Sequence, residues 1–100
     1  SRRNPAKRRI KIVCQRGMME LGTNLALAVL DISETGVCLV VKEPLTPGQE
    51  VSLTLEPPVS VRPIRRFGTV VWSTPTAEGT HRVGVSLHKR FDYRDLLDMV

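Results

Sequence analysis

Apolar and polar side chains alternate along most of this chain in short runs, each closed by Gly, Pro, Asn or Asp. Arg9-Ile10-Lys11-Ile12-Val13-Cys14 alternates charge with apolar groups and predicts a first strand. The segment from Arg16 to Asn24 reads as a loop or ragged connection. Leu25 to Ile32 forms a second apolar run, ended by the turn-prone Asp31-Ile32-Ser33-Glu34-Thr35-Gly36, and Val37 to Lys42 forms a third strand. After the turn cluster Glu43 to Gly48 comes the clearest alternation. Val51, Leu53 and Leu55 face one way there, and Ser52, Thr54 and Glu56 the other. Phe67 to Trp72 and Arg82 to His88 predict a last pair of strands, and Asp92 is placed to cap a short helix carrying Tyr93, Leu96, Leu97 and Val100. Six short strands with regular turns and one terminal helix predict a small antiparallel barrel or sandwich, and closure into a barrel would remove exposed edges.

Length fits one domain, since the chain has 100 residues. The longest uncharged apolar stretch, Leu25 to Leu30, is far too short to span a bilayer. No apolar segment of the signal-peptide kind follows the basic N-terminus. The two cysteines, Cys14 and Cys38, lie in apolar runs without a CxxC pair, so they read as buried thiols of a cytoplasmic protein rather than a disulfide framework.

Charge divides the chain. Arg2, Arg3, Lys7, Arg8, Arg9, Lys11 and Arg16 put seven positive charges in the first sixteen residues, while the remaining 84 hold eight basic and ten acidic side chains. Residues 1–9 therefore form a basic arm on a body, residues 10–100, that is mildly acidic beyond Arg16, and the arm points to an anionic partner. Chemistry beyond binding has little support. His81 and His88 are an odd number of positions apart on one predicted strand and face opposite ways. Cys14, Cys38, His81 and His88 lack zinc-site spacing, and no glycine-rich phosphate loop occurs, so neither an enzyme nor a cofactor is expected. Phe67, Trp72, Phe91 and Tyr93 are the only aromatics and none is interleaved with the arm, which argues against nucleic acid as the partner.

The turn Asp31-x-Ser33-x-x-Gly36 offers a carboxylate that can accept from a guanine edge and a hydroxyl that can donate or accept. Its glycine can take a positive φ and admit a ligand close to the backbone. Taken alone, these are also the residues any tight turn prefers. Together with the arm, the arrangement resembles the PilZ domain family, bacterial receptors of cyclic di-GMP, which carry an N-terminal RxxxR motif followed by D/NxSxxG. Arg2 to Arg9 stands where RxxxR belongs, and Asp31 to Gly36 matches the second motif in full. The likeness extends to Pro44-Leu45-Thr46-Pro47-Gly48, to Gly68 to Trp72 and to Arg82 to Leu87. The resemblance implies a six-stranded antiparallel barrel with a C-terminal helix. It also implies a non-catalytic second-messenger receptor that binds cyclic di-GMP through Arg2, Arg3, Lys7, Arg8, Asp31, Ser33 and Gly36. A protein partner or a flanking domain of a larger chain is expected alongside the nucleotide. The departure is in the first motif: no two arginines are four apart, and Lys7 stands four after Arg3. Lysine lacks the planar fork that stacks on and pairs with guanine. Lys7 in a weaker role, Arg8 shifted into the slot by a bulge, and a PilZ-like adaptor that has lost the nucleotide and makes protein–protein contacts all remain open at this point.

Overall fold

The computed structural model describes residues 3–7, 9–58 and 62–100. Among these residues seven antiparallel strands form one sheet: β1 (Asn4–Pro5), β2 (Lys11–Arg16), β3 (Ala26–Ile32), β4 (Gly36–Val41), β5 (Glu50–Glu56), β6 (Ile64–Pro75) and β7 (His81–Leu87), followed by helix α1 (Tyr93–Met99). Their order across the sheet is β1-β3-β4-β7-β6-β5-β2. The expected all-β architecture with a short terminal helix is present, and its six strands appear with shifted ends. The seventh, β1, comes from the basic arm, where Asn4 and Pro5 pair with Ile32 and Asp31. Among the described residues no helix is long and apolar enough to cross a membrane.

The sheet curls into a half-barrel because its period-two pattern gives it one apolar face to bury. Val51, Leu53 and Leu55 are fully buried on that inner face with Ile12, Cys14, Leu39, Val41, Val83 and Val85. Burial raises the Cys14 thiol to about 11, with Arg16 pulling slightly the other way, so it packs as a small neutral hydrophobe. At the seam where β2 meets β3, the Asn24 side chain substitutes for a ladder. Its Oδ1 accepts from the Cys14 and Ala26 amides at 2.9 Å each, and its Nδ2 donates to the Ile12 carbonyl at 3.3 Å. One end of the barrel is closed by α1, with Phe91 and Met99 fully buried. Asp92 caps the helix as expected, its Oδ1 accepting from the Asp95 amide at 2.8 Å. Arg66 braces the helix from β6: its guanidinium lies 5.2 Å from the Phe91 ring centroid and 3.5 Å from the Asp95 carboxylate.

Bulges in two strands set the outer surface. β3 carries two bulges, between Ala26 and Ala28 and between Val29 and Asp31, which leave Leu27 and Leu30 as extra residues that are 50% and 39% exposed. β6 carries one between Val70 and Trp72, so Val71 is extra and both Val71 and Trp72 face outward.

Candidate functional site

The register aligns four residues on one outer row: Asp31 opposite Cys38, Cys38 opposite Gly84, and Gly84 opposite Trp72. The bulges decide this alignment, since a one-residue change of register would turn either end of the row to the other face. Gly84 is what allows Trp72 to lie against the sheet, because a Cβ at Gly84 would run into the indole. Within the row Cys38 is covered, at 2% exposure, and lies outside the barrel core. Burial raises its thiol pKa and the Asp31 carboxylate adds to this, with Arg82 and Arg3 acting in the opposite sense, so it stays protonated and packs.

Ser33, Glu34 and Thr35 form the turn from β3 to β4. The Ser33 amide donates to the Gly36 carbonyl at 2.9 Å, closing the turn. The Ser33 hydroxyl, 7% exposed, accepts from the Thr35 amide at 3.4 Å and donates to the Gly36 carbonyl at 3.5 Å; both contacts are long. Neighbouring elements fix the turn in place: the Leu87 amide donates to the Thr35 carbonyl at 2.9 Å and the Phe91 amide to the Glu34 carbonyl at 2.8 Å. The expectation for Gly36 needs correction. Its φ is not positive; a Cβ there would stand 3.1 Å from the Val85 carbonyl, so glycine serves close strand approach rather than a left-handed turn.

Arg3 closes the site from the arm. Its Nε lies 3.5 Å from Asp31 Oδ1, with the two side chains 60% and 30% exposed. An ion pair this open is worth at most about 1 kcal/mol, so it holds the guanidinium over the cavity and is cheaply exchanged. Arg3, Asp31, Ser33 and Gly36 line one cavity of about 190 Å³, floored by Val71, Trp72 and Gly84 and edged by Thr35 and Ser86. Lys7 is not among the lining residues. Its amide instead donates to the Met99 carbonyl at 2.8 Å, tying the arm to the end of α1. Arg2 and Arg8 lie outside the described residues.

Sequence reasoning missed Trp72, Gly84 and Ser86. Trp72 is distant from the arm along the chain, and only the fold brings it to the same cavity as Arg3. A glycine in mid-strand at Gly84 was the available signal, since such a residue marks a close approach. The cavity holds a fork donor, a carboxylate acceptor, hydroxyls and an aromatic surface, and its lining contains no histidine or cysteine to activate a nucleophile. Among the described residues no group of three or more His, Cys, Asp or Glu side chains could hold a metal ion.

Comparison with protein families matches the PilZ domain model over residues 1–98. The chain belongs to the PilZ domain family. PilZ domains are non-catalytic receptor domains of a family that binds cyclic di-GMP. Searches of curated proteins and of solved structures yield no significant match.

Proposed function

We propose that this PilZ domain is a cyclic di-GMP receptor whose binding centre is the cavity between Arg3 and Trp72. The observation that carries the reading is the meeting of Arg3, Asp31, Ser33 and Gly36 around one cavity with an indole on its floor. Guanine offers N1–H and N2–H donors that the Asp31 carboxylate can accept. The Arg3 guanidinium can fork onto O6 and N7 or onto a phosphate. Trp72 supplies a flat surface for a base, and stacking of this kind contributes about 1–3 kcal/mol per base. Gly36 keeps the wall low, and Ser33 offers its loosely held hydroxyl to a phosphate or ribose oxygen.

Size sharpens this. Pockets that bury a drug-sized ligand occupy roughly 300–1,000 Å³. A cavity of about 190 Å³ takes one base, which leaves the rest of a cyclic dinucleotide on the arm side. There Arg2 and Arg8 are assigned by charge to the phosphates, with Lys7, held outside the cavity, adding only the long-range attraction of its charge. Such a receptor works in the cytoplasm, where Cys14 and Cys38 would remain the free thiols they are.

The chain has one tryptophan, so intrinsic fluorescence reports on the cavity directly. Titration with cyclic di-GMP should shift or quench Trp72 emission saturably, while cyclic di-AMP should not. A second reading, the adaptor without nucleotide, is favoured by one observation: Lys7, at the position of the family's second arginine, spends its amide on Met99 and stays out of the cavity. No saturable signal up to about 100 μM cyclic di-GMP would transfer the assignment to that reading.

A further inference from the structure

Away from the Trp72 cavity, two further cavities of about 430 and 370 Å³ meet at Arg62 and Pro63. They form a groove from the start of β2, past the end of β5 and the start of β6, to the outer side of α1. Six basic and three acidic side chains line it. Two of the arginines are already matched: Arg66 lies 3.5 Å from Asp95, and Arg65 lies 3.7 Å from Glu20. Arg9, Lys11 and Arg94 form no ion pair among the described residues, and Arg62 lies between them. Beside the groove, the next side of α1 adds an apolar element. Tyr93 and Leu97, one turn apart on α1 and adjacent to Arg94, are 76% and 50% exposed.

We infer that this groove docks an extended acidic segment of a partner polypeptide, its carboxylates against Arg9, Lys11 and Arg94 and an apolar side chain against Tyr93 and Leu97. Charge complementarity selects the occupant. Uncompensated cations in a concave surface raise the local concentration of anionic groups and speed their arrival. Glu56 and Asp98, interspersed among those cations, repel the uniform charge of a nucleic-acid backbone or an anionic bilayer. A polypeptide can set its acids opposite the cations and leave neutral residues opposite Glu56 and Asp98. Tyr93 is a single ring beside the groove, not the series of stacking platforms that a single strand uses. Exposed Tyr beside Arg is also the composition that carries binding energy at protein interfaces.

The probe for a test is a fluorescein-labelled peptide in which pairs of glutamates alternate with single leucines, read by anisotropy against the whole domain. Cyclic di-GMP is left out of every arm, so the outcome does not depend on the nucleotide reading. Binding should be saturable, weaken as salt rises, and fall about tenfold in Arg9→Gln/Arg94→Gln. Both arginines are exposed and unpaired, so the double variant should keep the parent melting temperature. Tyr93→Ser, made separately, should weaken the peptide without changing the salt dependence. The inference is overturned by no anisotropy change up to about 1 mM peptide. It is also overturned if the double variant binds as the parent does, or if a thymidine oligonucleotide or phosphatidylglycerol vesicles bind more tightly than the peptide.

Discussion

The two halves of the proposed nucleotide cavity are held by different physics. The wall consists of the β3–β4 turn, β7 and the middle of β6, all hydrogen-bonded into the sheet on either side of their bulges, with the turn's carbonyls at Glu34 and Thr35 held by amides of Phe91 and Leu87. Among its described residues the arm pairs Asn4 and Pro5 with β3, sets Arg3 3.5 Å from Asp31, and makes main-chain bonds from Ala6 to Leu30 and from Lys7 to Met99. Wall residues are specified by packing, and the same residues shape the cavity. Arm residues are lightly held, so their charges can be redirected at small cost. A ligand that needs both halves would find one preformed and one adjustable. Substitutions should separate accordingly: in the wall they should lower stability, and in the arm affinity alone.

Gly84→Val is expected to have the largest effect. A side chain there meets the Trp72 indole and forces it off the sheet. Overpacking of this kind costs about 1–3 kcal/mol, read as a lower melting temperature, and displacing the ring should redden Trp72 emission even without ligand. An unchanged melting temperature would mean that the wall yields as easily as the arm, and the contrast would collapse.

Asp31→Ala tests the boundary between the halves, because Asp31 belongs to β3 by backbone and to the arm by its ion pair with Arg3. Cyclic di-GMP affinity should drop by about 1–3 kcal/mol, the scale of a lost charge-assisted hydrogen bond. The melting temperature should move little, since an exposed pair contributes at most about 1 kcal/mol. A large loss of stability with affinity intact would assign Asp31 to the wall as a structural residue.

This division also explains what could be read in advance. Period-two alternation and turn residues located the six main strands, because buried apolar faces are written directly in residue order. The cap at Asp92 was visible for the same local reason. Bulges were not: Leu27 and Leu30 look like core residues in an apolar run, and only the pairing with β4 shows them as inserted and exposed. The cavity was half legible. Asp31, Ser33 and Gly36 share a short motif, whereas Trp72 and Gly84 reach the site through strand register, which is a long-range property. Gly36 lines the cavity, but the constraint on it is the Val85 carbonyl and not the positive φ expected of it. Two-residue β1 carries no periodicity to detect.

Within the arm, Arg3→Lys should produce a smaller change than loss of Asp31. Charge is kept while the fork that pairs bidentately is lost, so affinity for cyclic di-GMP should weaken by about 1 kcal/mol, roughly fivefold, with stability unchanged. An equal loss on Arg3→Lys and on Arg3→Ala would show that shape, not charge, is what the arm contributes.

Lys7→Arg carries the smallest expected effect and is the sharpest test of the arm. Restoring an arginine four residues after Arg3 recreates the family spacing, and a side chain facing the nucleotide would gain a stacking plane and a second hydrogen bond. The geometry points the other way. Lys7 is fixed through its main chain, its amide on Met99 at 2.8 Å and its carbonyl accepting from the Ile10 amide at 3.3 Å, and neither bond depends on the side chain. From that anchor Lys7 does not reach the cavity lining. Affinity should therefore change less than about twofold, under roughly 0.5 kcal/mol, and the melting temperature should stay put. A fivefold gain would mean that the ligand pulls the Lys7–Met99 bond apart and draws the arm over the cavity. In that case amide exchange at Lys7 should accelerate on adding cyclic di-GMP, and the arm would be the moving half of the receptor.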